Sequence, residues 1–339
     1  MSITYDVLSI RGKAVRVPVV QIEGCLVAAR GRFPRIASIK DEEWHVGGRI
    51  VDLERFRRAL GASGLKADML SFGSDLEAER EVAGAKRELD NVAVIDTSDF
   101  KEWWESLPQE ARKNTRRAAK RGVRVEIVDY TDDLVRGIKA IYDETPIRQG
   151  RRFWHYGKDI DTVRRENETY LERSSFLGAF IDDQLIGFMK WVRVGDAARI
   201  MQILCLNSHQ DKRPIIALIA KAAEVCHQQG VHCLVYGKYT YGNKGDSSIT
   251  EFKRRLGFKQ LDFTRYHLPL NLRGRLALQL GLHRGLLAVL PNWLLQRLIQ
   301  CRAWWLARLD ARRGAESADE AVASDEAAAG STTKAPTPP

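Results

Sequence analysis

The sequence predicts an α/β (α+β) fold: a mixed central sheet flanked by helices, with a β-rich N-terminal region and a helical C-terminal extension. Three observations predict it. Residues 123–270 run through strand-like and helix-like segments in the order β-α-α-β-β-β-α-β-α-β. Residues 1–97 carry short β-branched runs punctuated by glycine and charge. Residues 271–313 are dense in leucine at helical spacing, with eight arginines against one acid. With 44% hydrophobic residues in a chain of 339, a substantial core can form, which excludes a disordered or fibrous protein.

Taking the elements in order, KAVRVPVV (13–20), CLVAARG (25–31) and RFPRIASIK (32–40) read as strands. LERFRRAL (53–60) is a short helix closed by Gly61, and ADMLSFG (67–73) and NVAVIDT (91–97) are further strands. SDFKEWWESLPQEARKNTRRAAKRG then divides into two helical pieces at Pro108, with Ser98 expected as the first N-cap. Gly122 ends the second piece, and VRVEIV (123–128) alternates as a strand. Thr131 caps a helix over 131–145, and 158–174 is a second helix. SFLGAFID and QLIGFMKWVRV form a hairpin around Asp182-Asp183, and ARIMQILCLN (198–207) continues the meander. A helix over 213–229 starts with Pro214 in its first turn. HCLVYGKY (232–239) is a strand, 247–258 a helix closed by Gly257, and 259–270 the last strand. No internal repeat is visible.

The net charge is +10 and unevenly placed. RKNTRRAAKRGVR (112–124) has seven basic residues and no acid, which suits either a solvated helix face or a contact surface for phosphates. Residues 314–339 carry five acids, one lysine and no aromatic residue, the composition of a disordered tail. The five cysteines exclude a disulfide scaffold, and because none form a CxxC pair a structural zinc site or other metal is not expected; a reducing compartment fits.

The element order resembles the GCN5-related N-acetyltransferase (GNAT) superfamily over residues 123–270. GAFIDDQLIGFMKW (178–191) is similar to the short-turn Leu-Ile-Gly hairpin of its second and third strands. EFKRRLGFKQ (251–260) is similar to its closing helix-Leu-Gly-Phe segment. The basic helix leading into a strand, EARKNTRRAAKRGVRVEIVDY (110–130), resembles the Fem-like branch of peptidoglycan-bridge aminoacyltransferases, which carry two such units in tandem. The resemblance implies a domain over 98–270 and makes 1–97 either a reduced first unit or an extension of the same sheet. It also implies an acyltransferase with no permanently bound cofactor. The donor is either acyl-CoA or aminoacyl-tRNA, and the acceptor an amine or hydroxyl of a cell-envelope or polysaccharide precursor. The alternatives are a catalytically inactive binding protein and a tRNA or nucleic-acid binder.

Acetyl-CoA enzymes of this superfamily hold the pyrophosphate on a glycine-rich loop after the fourth strand. The corresponding LNSHQDKRPII (206–216) has no glycine, and Pro214 removes an N–H. His209, Lys212 and Arg213 are left to meet a donor's anionic part. On the acceptor side, 143–159 gathers Arg148, Gln149, Arg151, Arg152, His155, Tyr156 and Lys158 around Phe153 and Trp154, a donor set suited to a phosphate, carboxylate or sugar. An exposed basic loop pinned by its aromatics is the alternative. After the fifth strand, Tyr239 and Tyr241 are candidates for protonating the leaving group, with Lys238 beside them at the substrate. Glu144 is the candidate general base, with His209 and His155 as alternatives. Cys205 and Cys226 read as core thiols.

GRLALQLGLHRGLLAVLPNWLLQRLIQCRAWWLARLDARRG (274–314) is split by Pro291 into an amphipathic hairpin of leucine, tryptophan and arginine. It suits an anionic membrane surface, self-docking or a dimer contact. No signal peptide and no uncharged span of 18 apolar residues is present, so a cytoplasmic protein, peripheral on the inner membrane face, is expected. The expected partner is an anionic or lipid-linked acceptor, with tRNA as a possible donor. No motif for reading DNA sequence occurs.

Overall fold

The computed structural model describes residues 2–10, 13–40, 50, 52–73, 82–148, 151–240, 247–284 and 297. Gln149, Tyr241, the Arg151 side chain, all of the 274–313 hairpin beyond Arg284 except Arg297, and the 314–339 tail lie outside them. The chain divides into two units, Met1–Arg275 and Leu276–Pro339. Of the second, the described part is the end of one helix and a 3-10 turn at Leu282–Arg284.

The first unit begins with β1 (Thr4–Ile10), β2 (Lys13–Ile22), β3 (Cys25–Arg30), β4 (Ile36–Ile39), α1 (Leu53–Ala62), β5 (Met69–Gly73) and β6 (Lys86–Asp96). The linking helices α2 (Phe100–Ser106) and α3 (Gln109–Lys120) follow. Then come β7 (Arg124–Val128), α4 (Asp132–Asp143), β8 (Ile147–Arg148), β9 (Arg151–Arg152), α5 (Ile160–Asn167) and the strands β10 (Ser174–Ile181), β11 (Gln184–Val194) and β12 (Ala197–Cys205). The chain continues through α6 (Pro214–Gln228), β13 (Cys233–Val235), α7 (Ser248–Arg255), β14 (Lys259–Pro269) and α8 (Leu272–Gln279), which runs into the second unit.

Twelve strands form one mixed sheet in the order β1-β2-β3-β4-β5-β14-β6-β13-β12-β11-β10-β7, while β8 and β9 pair as a separate ribbon. The order reads alike from both ends. An antiparallel meander (β2-β3-β4, or β10-β11-β12) leads through a helix to a parallel neighbour (β5, or β13). At the centre the halves exchange strands: β14 pairs with β5, β6 pairs with β13, and β14 and β6 pair antiparallel with each other. The duplication is carried by hydrogen-bond topology, with no repeated residues to reveal it.

β11 is buried over 186–192, which requires cover on both faces, and both α4 and α6 pack on it. α6 buries Leu218 and Ile219 completely, each worth roughly 1.5–3 kcal/mol. Pro214 stands in its first turn, and Gly230 takes φ +65° just beyond its end. The hairpin turn is Asp182-Asp183, with Ile181 opposite Gln184 and Asp182 at φ +50°. Thr131 caps α4 by accepting from the Leu134 N–H at 3.3 Å.

Several local expectations differ. Asp99 rather than Ser98 caps α2, accepting from the Glu102 N–H at 3.0 Å, while the Ser98 N–H donates to Asp96. The strand expected over 32–40 is confined to Ile36–Ile39, and that over 232–239 to Cys233–Val235. The helix expected over 158–174 stops at Asn167, because Tyr170 adopts a left-handed conformation at φ +58°.

Candidate active site

β12 and β13 pair in parallel over three residues only, 197–199 against 233–235. β12 then runs on to Cys205, while the chain after Val235 follows β6: the Tyr236 N–H donates to the Ala93 carbonyl and the Ala93 N–H to the Gly237 carbonyl, both at 2.8 Å. The two strands diverge, and the edge of β12 over 200–205 has no strand partner on that side among the described residues. Such a wedge exposes backbone N–H and C=O groups inside a protein wall, where they must find a partner.

One wall is fastened from behind. Lys253 of α7 is buried, and its Nζ donates to the carbonyls of Tyr236 and Lys238 at 2.7 and 2.6 Å. Burial pushes its amine down to about 8, with Arg199 adding repulsion. Asp90 of β6 accepts from Lys238 at 2.6 Å and from Arg265 at 2.8 Å. Burial alone would raise the Asp90 carboxyl, but these two cations hold it below its ordinary value. Tyr239 is half-buried in this wall against the main core, and its carbonyl accepts from Thr250.

The other wall is β12 with the ribbon and the start of α5. Gln202 is the polar side chain in this otherwise apolar stretch of β12. Its amide meets Tyr142 Oη at 2.9 Å and His155 Nε2 at 3.2 Å. His155 packs at tilted angles among Tyr142 (4.2 Å), Trp154 (4.3 Å) and Phe153 (5.3 Å). Lys158 lies 3.2 Å above the Trp154 ring, contacts His155 Nδ1 at 3.4 Å and pairs with Glu166 at 2.7 Å. Burial first, then the charges of Lys158 and Arg148, push the His155 imidazole down to about 3. It is therefore neutral at physiological pH and serves as a hydrogen-bonding group. Burial also raises the Tyr142 phenol well above its ordinary value.

Glu144, expected as a base over the acceptor loop, instead turns to the mouth of the wedge. Its carboxylate accepts from the Ser208 N–H at 2.9 Å, the Asn207 N–H at 2.5 Å and the Ser208 hydroxyl at 2.7 Å. It also pairs with Arg148 at 3.3 Å. Burial alone would raise this carboxyl, yet these donors hold it below its ordinary value. A saturated carboxylate of that kind is a poor proton acceptor. Arg148 is likewise an internal clamp, donating to the carbonyls of Cys205 (2.9 Å) and Ile141 (3.0 Å) and stacking on Phe153.

Of the remaining expected residues, Arg152 and Tyr156 are exposed on the ribbon side, and Lys238 is tied to Asp90. His209 Nδ1 stands 3.0 Å from the Ser208 hydroxyl. Lys212 pairs only with the adjacent Asp211 among the described residues, and Arg213 is exposed at φ +63° ahead of α6. The structure thus brings together His155, Lys158 and Arg148 on one side and Tyr239 and Lys238 on the other. Tyr142, Gln202, Glu166, Lys253 and Asp90 complete the walls and were not singled out from the sequence. Gln202 carried a signal, as a lone polar residue in an apolar strand. Lys253 and Asp90 carried none, because charged residues on a short helix and a strand look solvent-facing.

Meander, helix, parallel strand and wedge define a GNAT-like, Fem-like fold. Among solved structures, that of FemX aligns over 82% of this chain and 90% of its own, with a TM-score of 0.55 at 12% identity. The C-terminal domain of a protein from Agrobacterium fabrum, assigned as a lysylphosphatidylglycerol synthetase, aligns over 78% of this chain and 87% of its own, with a TM-score of 0.51 at 15% identity. No family model matches the sequence, and no curated protein matches it.

Proposed function

We propose that this chain transfers an aminoacyl group from an aminoacyl-tRNA to an amine or hydroxyl of a lipid-linked cell-envelope precursor. The observation that carries the reading is the wedge between β12 and β13. A donor's acyl carbonyl laid along the free edge of β12 meets fixed backbone N–H groups, which can stabilise the oxyanion of direct attack. In that step the acceptor's nitrogen or oxygen bonds to the acyl carbon and sheds its proton to solvent, the acyl–oxygen ester bond to the ribose breaks, and the released ribose hydroxyl takes one proton from an acid that solvent then reprotonates. In this reading Tyr239, in the opposite wall, supplies that proton. Lys158, Arg152 and Tyr156 lie on the acceptor side.

The choice of donor is supported by Glu144. The backbone N–H groups of Asn207 and Ser208, at the turn where a diphosphate would have to dock, are taken by the chain's own carboxylate. Pro214 contributes no N–H there, and the stretch has no glycine to admit a phosphate against the backbone. The name of one fold neighbour is that of a lysylphosphatidylglycerol synthetase, and an aminoacylated lipid is a product in keeping with this reading. No helix among the described residues is long and apolar enough to cross a membrane. Segment 274–313 supplies the contact with the anionic membrane surface in this proposal.

The test is label transfer by the full-length protein. A mixed pool of radiolabelled aminoacyl-tRNA, or labelled acetyl-CoA, is incubated with lipid-linked precursors, and label in the organic-extractable fraction is followed. Transfer from the tRNA pool alone is expected, slowed strongly by Tyr239→Phe. Transfer from acetyl-CoA alone overturns the donor. Transfer from neither moves the chain to a non-catalytic binding role, consistent with the absence of a carboxylate on β12.

A further inference from the structure

The outer face of α3 takes no part in the wedge, yet it is the most strongly charged helical surface among the described residues. Lys113, Arg116, Arg117 and Lys120 are all exposed and follow one another at i, i+3, i+4 and i+7, so they form a single stripe. The opposite face, with buried Ala111 and Ala118, packs on α6. Over seven residues the stripe is about 10 Å long. Only Arg117 has a carboxylate partner, Glu110 at 3.1 Å. Lys113, Arg116 and Lys120 have no acidic side chain within ion-pair reach among the described residues.

Like charges at this spacing oppose helix formation. The helix dipole explains Arg117 and Lys120 in the last turn, but not Lys113 and Arg116. Beyond the helix, the Arg121 guanidinium donates to the Asp211 carbonyl. That bond joins the end of the stripe to the 207–212 turn, where Lys212 and Arg213 follow at the mouth of the wedge.

We infer that the outer face of α3, continued by Lys212 and Arg213, is a docking track for the phosphate backbone of an RNA duplex. A straight row of cations suits an extended polyanion rather than a small anion. The exposed residues of α3 include no aromatic side chain on which unpaired bases could stack, which favours a duplex over a single strand. They include no large apolar side chain to enter a bilayer, which disfavours a membrane. The inference rests on the transferase reading only for the choice of RNA, as the body of the donor whose acylated end would enter the wedge.

Binding can be measured without turnover, by fluorescence anisotropy of an unacylated RNA hairpin with the full-length protein across a potassium chloride series. Six phosphate contacts, four on α3 and two from Lys212 and Arg213, give a log–log salt slope of about −5.4, more than about a thousandfold loss between about 50 and 200 mM salt. Lys113→Glu, Arg116→Glu and Lys120→Glu combined should bring the slope to about −2.7 and weaken binding at least thirtyfold at low salt. Arg57→Glu with Arg58→Glu on α1 serves as the charge control and should change binding less than threefold. Unchanged melting temperature and circular dichroism show that the triple variant is folded.

Equal loss in both variants overturns the track, since net charge alone then explains binding. So does equal affinity for a single-stranded RNA of the same length. If the triple variant loses binding to phosphatidylglycerol vesicles while keeping RNA, the surface belongs to a membrane and the inference fails. Transfer from aminoacyl-tRNA at the wild-type rate by the triple variant counts against the track alone. Absence of transfer with intact RNA binding counts against the proposed reaction alone.

Discussion

Replacing Glu144 with alanine removes three hydrogen-bond acceptor contacts and one ion pair at once, with no large apolar group disturbed. Hydrogen bonds to a charged group contribute about 1.5–3 kcal/mol each, but these are not independent. Asn207 and Ser208 are exposed, so their freed N–H groups can turn to water, and Arg148 keeps two carbonyl acceptors. The expected net loss is therefore about 2 kcal/mol, which for a domain of this size lowers the melting temperature by roughly 4–8 °C. Glu144→Gln keeps one acceptor oxygen and should lose about half as much.

The effect has a pH signature. The folded-state pKa of Glu144 lies below the unfolded value, so its stabilisation is complete above the unfolded pKa of about 4.3. It fades as the pH falls through the lower folded value. Urea unfolding of wild type and Glu144→Ala at pH 7 and at steps down to about pH 3.5 measures this directly. A difference below about 0.5 kcal/mol at pH 7 would refute the reasoning. So would a difference that stays constant to the acid end.

His155, held at about 3, should show constant imidazole nitrogen shifts between about pH 5 and 8, and a titration midpoint in that window contradicts the packed, buried site. Lys190 and Lys253 are both pushed down to about 8 by burial, so the unfolded state holds more protons between that value and about 10.4. Stability should therefore rise with pH across this interval in wild type, and less steeply in Lys253→Met; a flat profile argues that these amines are solvated. Gly257 sits at φ +75°, where an added Cβ would lie 2.7 Å from Leu107 and from Trp103 Nε1. Gly257→Ala should cost about 2 kcal/mol and shift Trp103 emission, and a neutral result would mean that α2 is not packed there.

The second half of the sheet was readable from sequence because its signals are local. A two-residue turn at Asp182-Asp183, a threonine cap at residue 131 and a glycine stop at 257 each act within a few residues. The wedge was not readable in this way. The expected strand over 232–239 has continuous strand character, and it leaves β12 only because Tyr236 and Gly237 bond to Ala93, more than 140 residues earlier. Glu144 illustrates the same limit: its place after a helix suggested a base, while its partners are 63 and 64 residues away. Long-range polar pairing leaves no periodic trace, whereas burial does.

The exchange of central strands also has a consequence in time. β6 is synthesised early, but both of its neighbours, β13 and β14, lie far downstream. At typical translation speeds the ribosome needs roughly 10–35 s to reach the end of β14 after completing β6. During that interval β6 and β5 offer open edges beside a nascent apolar layer that contains Ile95 and Leu70. Neither half closes its own sheet, so the central pairing of β5, β14, β6 and β13 is completed last. Premature release or truncation before residue 259 should leave a product that seeks strands from other chains, making dependence on a chaperone a built-in cost of joining the halves this way.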